Sequence, residues 1–323
     1  MPYRSLFRAA VASLVLLVAG CGDGKAGPAD GKKQLVVGFS QIGAESAWRT
    51  ANSASIKEEA EKRGIKLMFA DAQGKQENQL KALRSFIHQG VDVVAFSPVV
   101  ETGFEPVLRE LKAAGIPVVL TDRSVDVADA SLYSVFIGAD FVEEGRDAAR
   151  WLAKATDGKA SIVELQGTPG SAPALDRRKG FAEVLRQHPG MNIVFSQSGD
   201  FGRAKGKEVM EAYLKTADAK SATALFAHND DMALGAVQAL KEAGRRPGVD
   251  FKIVSIDGVR GAFEAMIAGD LDCTVECNPL IGPLVFDAIE ALAAKKDHPR
   301  RVVTPAASYV KADAARILPT RRY

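Results

Sequence analysis

In "IPVVLTDRS", residues 116–124, a run of apolar residues ends by presenting Asp122 and Arg123 side by side. A carboxylate next to a guanidinium can neutralise its neighbour in a desolvated cleft while both keep hydrogen-bonding capacity for a third group. It can equally be a simple ion pair at a strand end, or the aspartate can cap a following helix. Other reactive or recognition-type residues also stand where apolar runs stop. Glu45, Ser46, Trp48 and Arg49 follow "LVVGFS", and Gln166 ends "ASIVELQ" with Arg177 further along. Asp200 and Phe201 follow "NIVFSQSG", His228, Asn229 and Asp230 follow "ALFA", and Asp257 follows "FKIVSI". Together they offer carboxylates, guanidiniums, an amide and two aromatic faces. A sugar suits such a set: every hydroxyl both donates and accepts, so Asp, Asn and Arg satisfy both roles, while C–H faces pack on Trp or Phe rings.

Catalytic readings have less to stand on. The four histidines, His88, His188, His228 and His298, are scattered, and the chain contains no G-x-S-x-G, no H-E-x-x-H and no phosphate loop. "GTPGSAPALDRR" places glycines before a helix but has neither the Lys-Ser/Thr of a phosphate loop nor the third glycine of a dinucleotide fingerprint. Neither an enzyme nor a cofactor is therefore expected. Cys273 and Cys277 lie four apart in "DCTVECNP". On a strand that spacing is roughly 13 Å, beyond disulfide reach, so two free thiols are expected. Without further ligands nearby they are small buried hydrophobes rather than a metal site.

The elements that must carry these residues alternate regularly. From Leu35 onward each short Val/Ile/Leu run is followed by a helical pattern: "LVVGFS" then a helix ending "KEEAEKRG", "IKLMFAD" then "QENQLKALRSFIHQG", "VDVVAFSP" then "FEPVLRELKAAG". Helices stop at Gly64, Gly90 and Gly115, as a left-handed C-terminal cap prefers. Continuous apolar strands between amphipathic helices predict parallel sheets covered on both faces. The rhythm restarts at "LYSVFIGAD" and runs through "GAFEAMIAGD", predicting an α/β chain of two doubly wound parallel-sheet lobes in series. One more helix, "NPLIGPLVFDAIEALAAKK", and an apolar, Pro-interrupted tail close the sequence. In such sheets ligands bind beyond the carboxyl ends of the strands, where the residues above stand.

With 47% hydrophobic and 25% charged residues over 323 positions, the composition is that of an ordinary globular protein large enough for two lobes. A net charge of +2 argues against nucleic acid or an anionic membrane surface as partner. The N-terminus differs in kind: Arg4 and Arg8 precede the apolar "AAVASLVLLVAG", and Cys21 follows. This reads as an export signal over residues 1–20. "VAGC" resembles a bacterial lipobox, which implies cleavage before Cys21 and its lipidation; a plain secretory signal with an incidental cysteine is the alternative. Several acyl chains, at ~0.8 kcal/mol per buried methylene, hold a protein stably on a membrane. The small, polar stretch over residues 21–33 fits a flexible tether.

From about Leu35 to the C-terminus the chain resembles the periplasmic sugar-binding proteins of ABC importers, the ribose-binding-protein-like family. The resemblance rests on "DAQGKQENQLKALRSFIHQGVD", "GIPVVLTDRS", "ALDRRKGFAEVL", "SGDFGRAKGKEVME", "FAHNDDMALGAVQALKEAG" and "VSIDG". Within it, "VGFSQIGAESAWRTA", "VELQGT" and "SQSGDFGRAKGKEVMEAY" are similar to the galactofuranose-binding branch. The resemblance implies the type I periplasmic binding protein fold, with one lobe of residues 34–139 plus 278–305, another of 140–277 plus 306–323, and hinge crossings near 139, 277 and 305. It also implies site roles: Trp48 of "SAWR" as the stacking platform beside Ser46, and Arg49 as a hydroxyl ligand. Asp122 with Arg123 matches the family's Asp-Arg pair, Arg177 the distal arginine, Phe201 the distal aromatic, Asn229 the amide of "ND" and Asp257 the aspartate of "DG". Where ribose binders carry a glutamine this chain has "VECNP", with Cys277 in that place and Glu276 beside it in the expected binding set. The implied function is capture of a monosaccharide, galactofuranose foremost, by a periplasmic, lipid-anchored monomer that delivers it to an ABC permease in the inner membrane. The alternative is a sugar or autoinducer receptor feeding a chemotaxis or histidine-kinase sensor. A DNA-binding regulator on the same fold would need a helix-turn-helix ahead of Leu35, where this chain has its signal and tether.

Overall fold

The computed structural model describes residues 34–323; the expected signal segment, the tether and Cys21 lie outside the described residues. The first half runs β1 (Val36–Gln41), α1 (Ala47–Lys62), β2 (Lys66–Asp71), α2 (Gln76–Gln89), β3 (Val93–Phe96), α3 (Glu105–Ala113), β4 (Val118–Thr121) and β5 (Val135–Gly138). It continues with α4 (Phe141–Ala155), β6 (Lys159–Gln166), α5 (Ala172–Leu185), β7 (Gly190–Ser198), α6 (Arg203–Leu214), β8 (Ala224–Ala227) and α7 (Asp230–Glu242). Then come β9 (Lys252–Asp257), α8 (Arg260–Ala268), β10 (Cys273–Glu276), α9 (Gly282–Ala293), β11 (Arg301–Val303), β12 (Ser308–Val310) and α10 (Lys311–Ile317).

Among the described residues the strands form two six-stranded sheets, ordered β11-β5-β4-β3-β1-β2 and β12-β10-β9-β8-β6-β7. All pairings are parallel except that of β12 with β10 at one edge. The central strands VVAF and VVLT are buried at every position, which is why they read as unbroken apolar runs rather than alternating ones. On one face of the first sheet Phe39, Ile56, Val119 and Ile289 pack together; on the other, Leu83, Phe86, Phe96 and Leu108 do so. In the second lobe Phe181 of α5 and Phe226 of β8 stack with ring centroids 4.0 Å apart. Gly64, Gly90 and Gly115 follow their helices at φ values of 65°, 62° and 71°, a region that costs a residue without Cβ little.

The chain passes between sheets three times: from β5 to α4, which packs on α5 and beside β9 and β10; from β10 to α9, which packs on α1; and from β11 to β12. The strands on either side of the last passage are three residues each, too short to show a period of their own in the sequence. The lobes are closed on one another. Ala47 N–H donates to Asp231 Oδ2 at 2.7 Å and Glu101 N–H to Gly170 O at 2.9 Å, each joining the first lobe to the second.

Candidate functional site

The carboxyl ends of both sheets meet around a cavity of roughly 280 Å³. Glu45, Ser46, Trp48, Arg49, Asp122 and Arg123 line it from the first lobe; Pro173, Arg177, Phe201, Asn229 and Asp257 from the second; and Cys277 from the second crossing. Of the binding set implied by the resemblance, Glu276 alone does not line it; of the other strand-end residues, Gln166, Asp200, His228 and Asp230 do not line it either.

On the first-lobe side, Ser46 caps α1, its Oγ accepting the Arg49 N–H at 3.1 Å, and so starts the helix where Trp48 and Arg49 reach the cavity. The Trp48 indole N–H donates to the Cys277 carbonyl, fixing the ring against the crossing segment. The Arg49 guanidinium lies 4.5 Å from the Trp48 ring centroid, donates to Asp122 Oδ2 at 2.7 Å and to Glu45 Oε1 at 3.1 Å. Burial alone would lower the Arg49 pKa, but Asp122 and Glu45 outweigh it and raise it. Ser97 Oγ also donates to Asp122 Oδ2, at 3.2 Å, which leaves the other carboxylate oxygen for a ligand.

Asp122 and Arg123, adjacent in the chain, do not hydrogen-bond one another. Asp122 takes Arg49 as its partner, while Arg123 Nε stands 3.7 Å from Asp122 Oδ2 and makes no hydrogen bond. Arg123 Nη1 donates to the Val99 carbonyl at 3.0 Å, and the guanidinium lies 5.2 Å from the Phe201 ring centroid, across the cleft. Burial, with the Arg49 charge adding to it, brings the Arg123 pKa down to about 10 despite Asp122. An arginine so poorly compensated calls for a ligand oxygen. The physical reason is the turn: Asp122 sits at φ 62°, and consecutive side chains leaving a strand end point apart.

On the second-lobe side, α4 and α5 pack backbone to backbone, since a Cβ on Gly145 would stand 2.1 Å from the Arg177 carbonyl and one on Gly180 1.9 Å from that of Val142. That approach brings Arg177 Nε to 2.9 Å from Glu144 Oε2, which accepts its hydrogen bond; Arg177 Nη1 donates to His228 O at 2.6 Å and Nη2 lies 3.7 Å from Asp257 Oδ1. Burial pushes the Glu144 and Asp257 carboxyls up, against the pull of Arg177. Glu144 Oε1 has no partner. Asn229 caps α7, accepting the Met232 N–H at 3.0 Å, and donates to Phe201 O at the same distance. Phe201 reaches the cavity from a turn at φ 61° and lies against Gly167, where any Cβ would overlap its ring. Beneath, burial lowers the His228 pKa against the pull of Glu164; the neutral ring faces Glu164 Oε1 through Nε2 at 3.3 Å and accepts the Gly167 N–H through Nδ1.

Glu276 is turned out of the site. Tyr309 Oη, Tyr323 Oη and Arg321 Nη1 all donate to its carboxylate, tying β10 to the C-terminal segment. Alternation along β10 sends Glu276 to that side and its neighbour Cys277 to the cavity. Cys273 and Cys277 are both free and buried. Glu144 was missed in the sequence, although a signal existed: it falls on the apolar stripe of α4 with Phe141, Gly145, Ala148, Ala149 and Leu152. A carboxylate on such a stripe needs a buried partner. Among the described residues no group of three or more His, Cys, Asp or Glu is disposed to hold a metal ion. What the cavity offers is hydrogen bonding: an unpaired donor on Arg123, an unpaired acceptor on Glu45, and the Trp48 and Phe201 rings.

Comparison with known proteins agrees with this chemistry. Residues 37–297 match the family described as periplasmic binding protein domain. The galactofuranose-binding protein of Escherichia coli (strain K12) is 53% identical over 265 residues, covering 81% of this chain and 83% of that one. The binding component of the arabinose ABC transporter of Shewanella sp. ANA-3, solved with α- and β-L-arabinofuranose, is 52% identical with a TM-score of 0.86, over 89% of this chain and 95% of that one. A Mycobacterium smegmatis protein solved with β-D-fucofuranose is likewise 52% identical, with a TM-score of 0.87 over 90% and 95%.

Proposed function

The chain belongs to the periplasmic binding protein family, and from that premise we propose that it captures a sugar in its furanose form, galactofuranose foremost, between its lobes and presents the closed complex to an ABC permease. The observation that carries this reading is the closed cleft, in which Arg49, Asp122 and Arg123 from one lobe face Arg177, Asn229 and Asp257 from the other across the cavity. A ligand bridging both sets favours the closed state by the contacts it gains only there. The furanose assignment draws on the relatives at about half identity, which hold or are named for five-membered rings. Trp48 and Phe201 supply the ring-stacking surfaces and the charged groups the hydroxyl partners. The reading extends to a monomer exported to the periplasm and anchored through a lipid on Cys21.

Thermal unfolding against galactose, arabinose, ribose, fructose and xylose tests it. A sugar at a hundred times its dissociation constant adds ~2.7 kcal/mol to the folded state, a rise of several degrees. Galactose and arabinose are expected to give the largest shifts, each weakened by the small furanose fraction in solution. No shift with any of the five refutes the proposal. Loss of membrane fractionation in Cys21→Ala checks the anchor, and a mass by light scattering equal to one chain checks the monomer.

A further inference from the structure

Beyond Glu45 the cleft widens into a second cavity that the monosaccharide reading leaves unused. It measures roughly 1080 Å³, opens to solvent, and is bordered by the loops after β1, β2 and β3 of the first lobe and by those after β6 and β7 of the second. It therefore lies at the mouth of the cleft, on the side away from the β5, β10 and β11 crossings.

Three features tie it to the inner cavity. Glu45 lines both; its Oε1 accepts from Arg49 on the inner side, while Oε2 is buried without a partner. Asp200 and Phe201 are consecutive residues of one turn, at φ 52° and 61°, and the first lines the outer cavity while the second lines the inner one. Two neighbouring non-glycine residues in that region are costly to hold, and here they aim one side chain into each space. Val99 lines the outer cavity, and its carbonyl accepts from Arg123 of the inner one.

The lining also selects a chemistry. Ile42 and Val99, part of a small apolar cluster with Ala72, supply aliphatic surface. Asp71, Gln73, Thr168 and Asp200 supply polar groups around them. With Glu45 that makes three carboxylates and no lining cation, so a phosphate or a uronic acid would be repelled and a neutral hydroxylated group accepted.

We propose that this outer cavity is a second sugar subsite: with a furanose ring in the inner cavity, it takes a neutral second ring glycosidically linked to the first, so that the protein binds short furanosides as well as the free sugar. The inference rests on the furanose reading of the inner cavity, and its test separates the two. Isothermal titration of the purified protein is carried out with methyl β-D-galactofuranoside, which has no second ring, and with the methyl glycoside of β-(1→6)-linked galactofuranobiose. The disaccharide is expected to bind at least as tightly as the single-ring glycoside. Ala44→Trp, at an exposed loop position that lines the outer cavity and not the inner one, and Asp71→Ala are each expected to weaken the disaccharide tenfold or more while leaving the methyl furanoside within twofold. Binding of the methyl furanoside with none of the disaccharide overturns the second subsite alone. So does a disaccharide affinity that both substitutions leave unchanged, since its second ring would then lie elsewhere. If neither ligand binds, the furanose reading itself falls and the subsite with it.

Discussion

Asp122→Asn isolates the ion pair at the centre of the first-lobe wall. Asparagine has nearly the same size and tolerates the positive φ of 62° that alanine or a branched residue would strain, so the backbone turn should persist. What changes is charge and acceptor count. Asp122 Oδ2 holds Arg49 at 2.7 Å and Ser97 at 3.2 Å; the amide can keep those two only by aiming its NH2 at the ligand. A sugar hydroxyl that donated to a carboxylate oxygen then meets a donor. Hydrogen bonds to charged groups are worth about 1.5–3 kcal/mol, so affinity should fall by roughly 10- to 150-fold. Arg49 retains Glu45 as counter-ion, which should confine the loss of stability in the empty protein to about 1–2 kcal/mol. Isothermal titration with the best-stabilising sugar measures the affinity and thermal melting of the empty variant the stability. A dissociation constant within threefold of the wild type, in a variant that melts normally, would refute the assignment of Asp122 as a hydroxyl acceptor.

Gly145→Ala should separate α4 from α5, since its methyl meets the Arg177 carbonyl at 2.1 Å; overpacking of about 1–3 kcal/mol and a weaker grip of Arg177 on Glu144 are expected as a lower melting temperature and reduced sugar affinity. Closing the lobes places Glu101 near Asp126 of its own lobe and Asp176 of the other, and burial followed by those two charges raises the Glu101 pKa. A carboxyl raised on closure takes up a proton with it, so affinity should rise as pH falls toward the ordinary carboxylate range, and Glu101→Gln should flatten that slope in titrations at several pH values. Asp230, buried at the first position of α7 and raised to about 7 by burial in spite of donors from Ser255, Thr274 and the Val259 N–H, works on stability instead. Its contribution is fully present below the ordinary aspartate pKa and lost as pH rises through about 7, so Asp230→Asn should reduce the fall in melting temperature between pH 5 and 8. Burial pushes both thiols up, so neither Cys273 nor Cys277 should be alkylated by iodoacetamide in the native protein near neutral pH; mass spectrometry before and after unfolding reads this directly.

Much of this protein was legible along the chain because its signals are local. Strands such as VVAF and VVLT, buried on both faces, must be continuous apolar runs, and the helices between them must be amphipathic, so the two parallel sheets follow from periodicity alone. Polar residues that interrupt those runs at their carboxyl ends stand where a parallel sheet leaves its crevice, which is why Arg49, Asp122, Arg177, Asn229 and Asp257 could be named from one sequence. Only the tertiary structure could decide partners and faces. Asp122 bonds Arg49, 73 positions away, rather than its neighbour Arg123, because adjacent side chains diverge while distant strand ends converge. Of the adjacent Glu276 and Cys277, Cys277 lines the inner cavity and the Glu276 carboxylate faces Tyr309 and Arg321. Glu144 becomes the partner of Arg177 only because two glycines let α4 and α5 touch. Periodicity depends on a residue's nearest neighbours in the chain, whereas pairing depends on which buried charges the packed backbone brings within hydrogen-bond distance, and that is a property of the whole fold.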